Sequence, residues 1–180
     1  DARLLPSPIL RLRAVTIGRS AGPGQARADK LDVEFSLGAL MRGEWRATEL
    51  AVNGVALTLG LDAQGRIDWP AASVFSNLGA LAIDRLAVTG QLALHDAASG
   101  RSVELGDIAF SGDVRPQTGS LRGDGNFLLS GTRYPFRLSS GRVADGSATR
   151  LHLTIDPGDR ALFVDLDGLL IVEAKAPRFD

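Results

Sequence analysis

Few residues of this sequence are equipped for chemistry. His95 and His152 are its two histidines, Asp165 and Asp167 stand two apart, and there is no cysteine. Carboxylates at alternate positions on one strand face lie roughly 7 Å apart, within the broad range over which glycosidases space their acid and base. The strand-like pattern around this pair, closed by Gly168, reads instead as a solvated face. The histidines fall in separate strand-like segments and lack the close spacing of many metal pairs, so surface or strand-edge roles are expected for both. Asp165-Leu166-Asp167-Gly168 touches calcium-loop chemistry but lacks the later bidentate Glu. Gly123-Asp124-Gly125 lacks the third Gly and the following helix of a dinucleotide loop. No Gly-x-Ser-x-Gly elbow and no Walker-type loop occur. Without cysteine, disulfides, thiol nucleophiles and Cys-ligated zinc are excluded. We expect a non-enzymatic chain with no catalytic residue, metal or cofactor.

The elements that would position these residues read almost entirely as strands. Leu31, Val33, Phe35 and Leu37 alternate with Asp32, Glu34 and Ser36, a period of two that puts apolar side chains on one face and polar ones on the other. The rhythm returns in Leu86, Val88, Leu92 and Leu94, with Gly90 between. It returns again in Leu151, Leu153 and Ile155 opposite His152 and Thr154, and in Leu162, Val164, Leu166, Leu170 and Val172. Helical spacing is confined to a single turn at residues 37–42 and a second short segment at residues 70–78, which opens on Pro70 and stops before Gly79. Clusters of Gly, Asp, Ser and Pro separate the runs, as at residues 21–24, 62–65, 97–100, 115–119, 145–147 and 156–159. Short turns imply antiparallel neighbours and a meander. The apolar parity slips from Leu50 and Val52 to Val55, Leu57, Leu59 and Leu61 across Asn53-Gly54, and from Val103 and Leu105 to Ile108 and Phe110 across Gly106-Asp107. Each slip is a β-bulge or a tight hairpin. About nine or ten strands result, and with so little helix they must cover their apolar face with one another or with a ligand. A strongly curved sheet, a sandwich and an open barrel all meet that demand.

The chain has 180 residues, 44% hydrophobic and 23% charged, with 20 Lys plus Arg against 21 Asp plus Glu. This fits one folded module, residues 1–180. The charges alternate in sign, so no basic block favours nucleic acid. Arg11, Arg13, Arg19 and Arg27 read as an ordinary solvated face. No segment approaches the length of a membrane-spanning helix, and the start lacks the order of a signal peptide. Opening at Asp1 without an initiator Met and closing after an apolar run and Pro177, the sequence is expected to be a piece of a longer protein.

The order of its motifs resembles the AsmA-like family of bacterial envelope proteins. The likeness begins at Leu37-Gly38-Ala39-Leu40-Met41-Arg42-Gly43-Glu44, where a strand ends in a Leu-rich turn followed by Gly and an acidic residue. It continues through residues 49–59, then Asp62 and Gly65-Arg66-Ile67-Asp68-Trp69, with Asp68 where the family commonly has Asn and without the Pro often found near position 54 or 55. Residues 83–96 resemble the family's start of a hairpin, with His95 in an aromatic place. Residues 123–127 and 165–170 extend the likeness over most of residues 31–172.

The resemblance implies a periplasmic module of a Gram-negative protein whose inner-membrane anchor lies outside this sequence. It also implies a taco-shaped antiparallel sheet with an apolar groove that carries or shields phospholipid, in support of outer-membrane assembly. Adjacent β modules of the same full-length protein would be its partners. The groove lining is then Leu31, Val33, Phe35, Leu57, Leu59, Leu86, Val88, Leu92, Leu94, Leu151, Leu153, Ile155, Val164 and Leu166. Trp45 and Trp69 are expected to seal an end of the sheet. In the competing reading the same stripes are the packed core of a closed β-sandwich that scaffolds other envelope proteins by its loops or an edge strand.

Overall fold

The computed structural model of the chain describes residues 7–18, 24–63, 67–68, 81–115, 120–142, 149–158, 163–172 and 177–179. The helix expected at residues 70–78 and Trp69 lie outside them. The described strands form a single sheet. In chain order they are β1 (Ile9–Gly18), β2 (Gln25–Phe35), β3 (Arg46–Leu61), β4 (Ile67–Asp68), β5 (Ala82–Asp96), β6 (Ser102–Arg115), β7 (Ser120–Leu129), β8 (Thr132–Arg142), β9 (Thr149–Ile155), β10 (Val164–Val172) and β11 (Pro177–Phe179). Spatial order follows chain order, except that the two-residue β4 pairs with the end of β3 on the side away from β5. The expected single turn forms helix α1 (Leu37–Met41), capped by the Ser36 hydroxyl, which accepts from the Ala39 amide at 3.4 Å.

One ladder departs from the expected meander: β3 and β5 run parallel, from Arg46 opposite Ala82 to Leu61 opposite Asp96. Alternation places a side chain on a face but carries no strand direction. Direction is set by the connection, and residues 62–81 are long enough for the crossover that parallel neighbours need. All other neighbours are antiparallel. The sandwich alternative needs a second sheet to face the first, and the described strands make only one.

Both parity slips are bulges inside continuous strands, and no hairpin forms at either. At Asn53-Gly54 the register with β5 shifts between Val52 and Val55, with Gly54 at φ 65°. At Gly106-Asp107 the register shifts against both β5 and β7, with Asp107 at φ 44°. A third irregularity, with Ala14 at φ 52° opposite Asp29, lies in the same region of the sheet on β1 and β2. These irregularities form a crease across β1, β2, β3 and β6, and bulges of this kind increase local bend and twist.

A second bending device lies at β6 and β7. A Cβ added at Gly125 would sit 2.4 Å from the Ala109 carbonyl oxygen and 2.8 Å from Phe136 Cζ, and one at Gly123 would meet the Ser111 carbonyl oxygen at 2.3 Å and Phe110 Cζ at 2.5 Å. Backbone and rings occupy the space that side chains would take. Phe110 and Phe136 stack at 6.0 Å, and Phe136 in turn contacts Phe127, which stacks on Tyr134 at 5.6 Å. The sheet coils far enough that β11, at one side, comes within 8 Å between Cα atoms of β4, which is hydrogen-bonded to β3. No ladder closes the ring.

Burial is concentrated at the α1 end, where Val33, Ala47, Leu50 and Ile83 form a small cluster flanked by Phe35, Leu81 and Val114. Ala39 of α1 is also fully buried. Gly125→Val should therefore lower stability by about 2–4 kcal/mol through overpacking. Gly106→Ala, with no heavy atom within 4 Å of the new methyl, should change it by less than about 0.5 kcal/mol. Paired thermal melts of the two variants measure the contrast.

Candidate apolar trough and its charged reverse

Register assigns each side chain to a face, because directly paired residues share one. One row runs Leu10, Val33, Leu50, Leu86, Gly112, Gly123, Leu138, Leu153 and Leu166 from β1 to β10. The next runs Leu12, Leu31, Val52, Val88, Phe110, Gly125, Phe136, Ile155 and Val164. No polar side chain interrupts either row. Beyond the crease the same face continues with Leu57, Leu92 and Leu105, then Leu59, Leu94 and Val103. The bulges make this possible: without the extra residue in β3 and in β6, these stretches would turn their apolar side chains to the other face.

All fourteen residues expected to line a groove share this face, with Leu151 between Ser140 and Gly168 and Phe35 opposite Ala47. Sequence reasoning missed Leu10 and Leu12 on β1, where the alternation is short and broken at Ala14. It also missed the aromatic floor of Phe110, Phe127, Tyr134 and Phe136, whose apolar residues alternate with glycines that carry no hydrophobic signal. Of the fourteen, Val33 and Leu59 are buried, Leu166 is 47% exposed, and the rest are half-buried. Among the described residues no large side chain is fully buried. Among the described residues no second sheet covers this face.

The reverse face is charged and internally paired. Glu49 meets Arg85 at 3.3 Å, Asp84 meets Arg46 at 2.8 Å, and Asp167 accepts two hydrogen bonds from Arg150 at 2.8 and 2.5 Å. The Arg150 hydrogen bond holds the Asp167 carboxyl below its ordinary range, aided by the charges of Arg150 and His152. A glycosidase acid needs the opposite shift. Asp165 lies 3.4 Å from His152 Nδ1, so each carboxylate of the pair has its own basic partner. His95 bonds Ser102 at 2.9 Å and stands four strands away from His152 in the sheet; the two are not brought together. Trp45 packs its ring edge against Phe35 at 5.9 Å, yet remains 65% exposed. No family model, no curated protein and no solved structure matches this chain.

Deleting Asp107 should rotate Leu105 and Val103 onto the charged face and cost about 2–4 kcal/mol of stability through their exposure and the lost ladder fit. Asp107→Gly keeps the bulge and relieves its left-handed backbone, so it should match or exceed the parent by up to about 1 kcal/mol. Denaturant titrations of both variants check the sign.

Proposed function

We propose that this chain is a non-enzymatic module of the bacterial envelope that shields phospholipid acyl chains in its apolar trough. The observation that carries the reading is the pair of cross-strand rows that stay apolar from β1 to β10 in a single open sheet. Transfer of an acyl chain from water to such a surface is favourable by about 0.8 kcal/mol per methylene. The trough offers contact by dispersion and by the ring faces of Phe110 and Phe136, and no charged side chain stands in the two rows, so a chain seated there is free to slide along them.

The AsmA-like order of motifs agrees with this reading. It supports a periplasmic place, an inner-membrane anchor elsewhere in the full-length protein and a part in outer-membrane assembly. Among the described residues no strand pairs with the outer edge of β1, which supports pairing with a neighbouring β module, since an edge strand presents unpaired amides and carbonyls to a further strand.

Protein purified from Gram-negative cells and extracted with organic solvent should carry phospholipid detectable by mass spectrometry. Val88→Asp and Leu153→Asp, central in the two rows, should reduce that lipid at least severalfold while circular dichroism retains its β signal. Lipid-free parent protein, or folded Asp variants that take up as much lipid as the parent, would overturn the assignment.

A further inference from the structure

Where β8 ends at Arg142, β7, β8 and β9 frame a cleft of about 400 Å³ lined by Arg122, Ser139, Ser140, Gly141, Arg142, Arg150 and His152. Pairing sets Arg122, Ser139 and His152 in one row and Gly141 with Arg150 in the next. Gly141 has no heavy atom within 4 Å of where its Cβ would lie, so the floor between these side chains is open. Among the described residues no carboxylate lines the cleft. Neither Arg122 nor Arg142 makes an ion pair with any described residue. Arg150 gives its Nε and one Nη to Asp167, and a guanidinium with five N–H donors keeps others for a second acceptor. Asp113, directly paired with Arg122, and Asp124 line the adjoining cleft, which Arg122 also borders.

We propose that this cleft binds a phosphate ester. Arg122 and Arg142 supply charge-assisted, planar donors, the form in which proteins most strongly hold phosphate oxygens. The Ser139 hydroxyl and the remaining Arg150 donors reach the same space. The volume accommodates a phosphate with a small polyol attached, so the ester belongs either to a soluble metabolite or to a lipid head group. Arg122, Ser139 and Arg150 stand on the face opposite the trough, whereas Ser140 and Arg142 have the parity of Leu138 at the end of β8; the site uses none of the residues of the two apolar rows.

Titration calorimetry of the whole chain with inorganic phosphate and with glycerol phosphate should show saturable binding that weakens as salt is added. Arg122→Ala and Arg142→Ala should each lower affinity roughly tenfold. Asp167→Asn, by releasing Arg150, should raise it severalfold. Arg101→Ala, which removes an exposed arginine at the start of β6, and Val88→Asp in the trough should leave it unchanged. Flotation with phosphatidylglycerol vesicles separates the sources: capture that Arg122→Ala abolishes assigns a lipid head group, and ester binding without such capture assigns a soluble phosphate ester. Absence of ester binding by the parent, or an Arg101→Ala loss equal to that of Arg122→Ala, overturns the site.

Discussion

A one-layer sheet that carries apolar side chains over a whole face has to hide that face from water without a partner layer, and curvature is the means available to it. Here the residues that curve the sheet are as specific as those that line it. The left-handed positions at Ala14, Gly54 and Asp107 gather the bulges into one crease. Gly123 and Gly125 let the backbones of β6 and β7 approach and give the rings of Phe110 and Phe136 a bed. Coiling brings the rows toward one another and leaves most of their side chains half-buried. Neither the lining nor the bending residues would suffice alone: a flat sheet with this face would stick to its neighbours, and a coiled one with polar rows would have nothing to enclose.

Much of this was legible in the sequence because period-two patterning reports faces directly. The stripes at Leu31 to Phe35, Leu86 to Leu94 and Leu151 to Ile155 each appear where alternation placed them, and the single turn of α1 forms at Leu37–Met41. The parity slips at Asn53-Gly54 and Gly106-Asp107 announced a break in the ladder, but local sequence did not distinguish bulge from hairpin; the pairing partner decides that, and in both cases a neighbouring strand continues past the break. The parallel direction of β3 against β5 was illegible for the same reason, since it depends on where a long connection returns. The phosphate cleft has no local signature at all. Arg122, Arg142 and Arg150 are separated in sequence, and only the register of three strands brings them around Gly141.

The two faces also differ in how their side chains find partners. On the trough side the contacts are non-directional and depend on area and shape. On the reverse, several exposed charges pair across strands, each pair contributing little to stability under screening. Their value is in fixing which face is wet: a misregistered strand would set carboxylates such as Glu49 and Asp167 among leucines, at a cost far above that of the lost pairs.

The parallel ladder between β3 and β5 divides the molecule in a way that bears on how it assembles. On one side, β1 to β3 are joined by short local connections; on the other, β5 to β10 form an uninterrupted series of antiparallel neighbours. Each series can zip from contacts close in sequence, whereas joining them requires closing the loop of residues 62–81 before any hydrogen bond of that ladder is gained. The seam thus carries a larger loop-closure cost than the antiparallel ladders on either side of it.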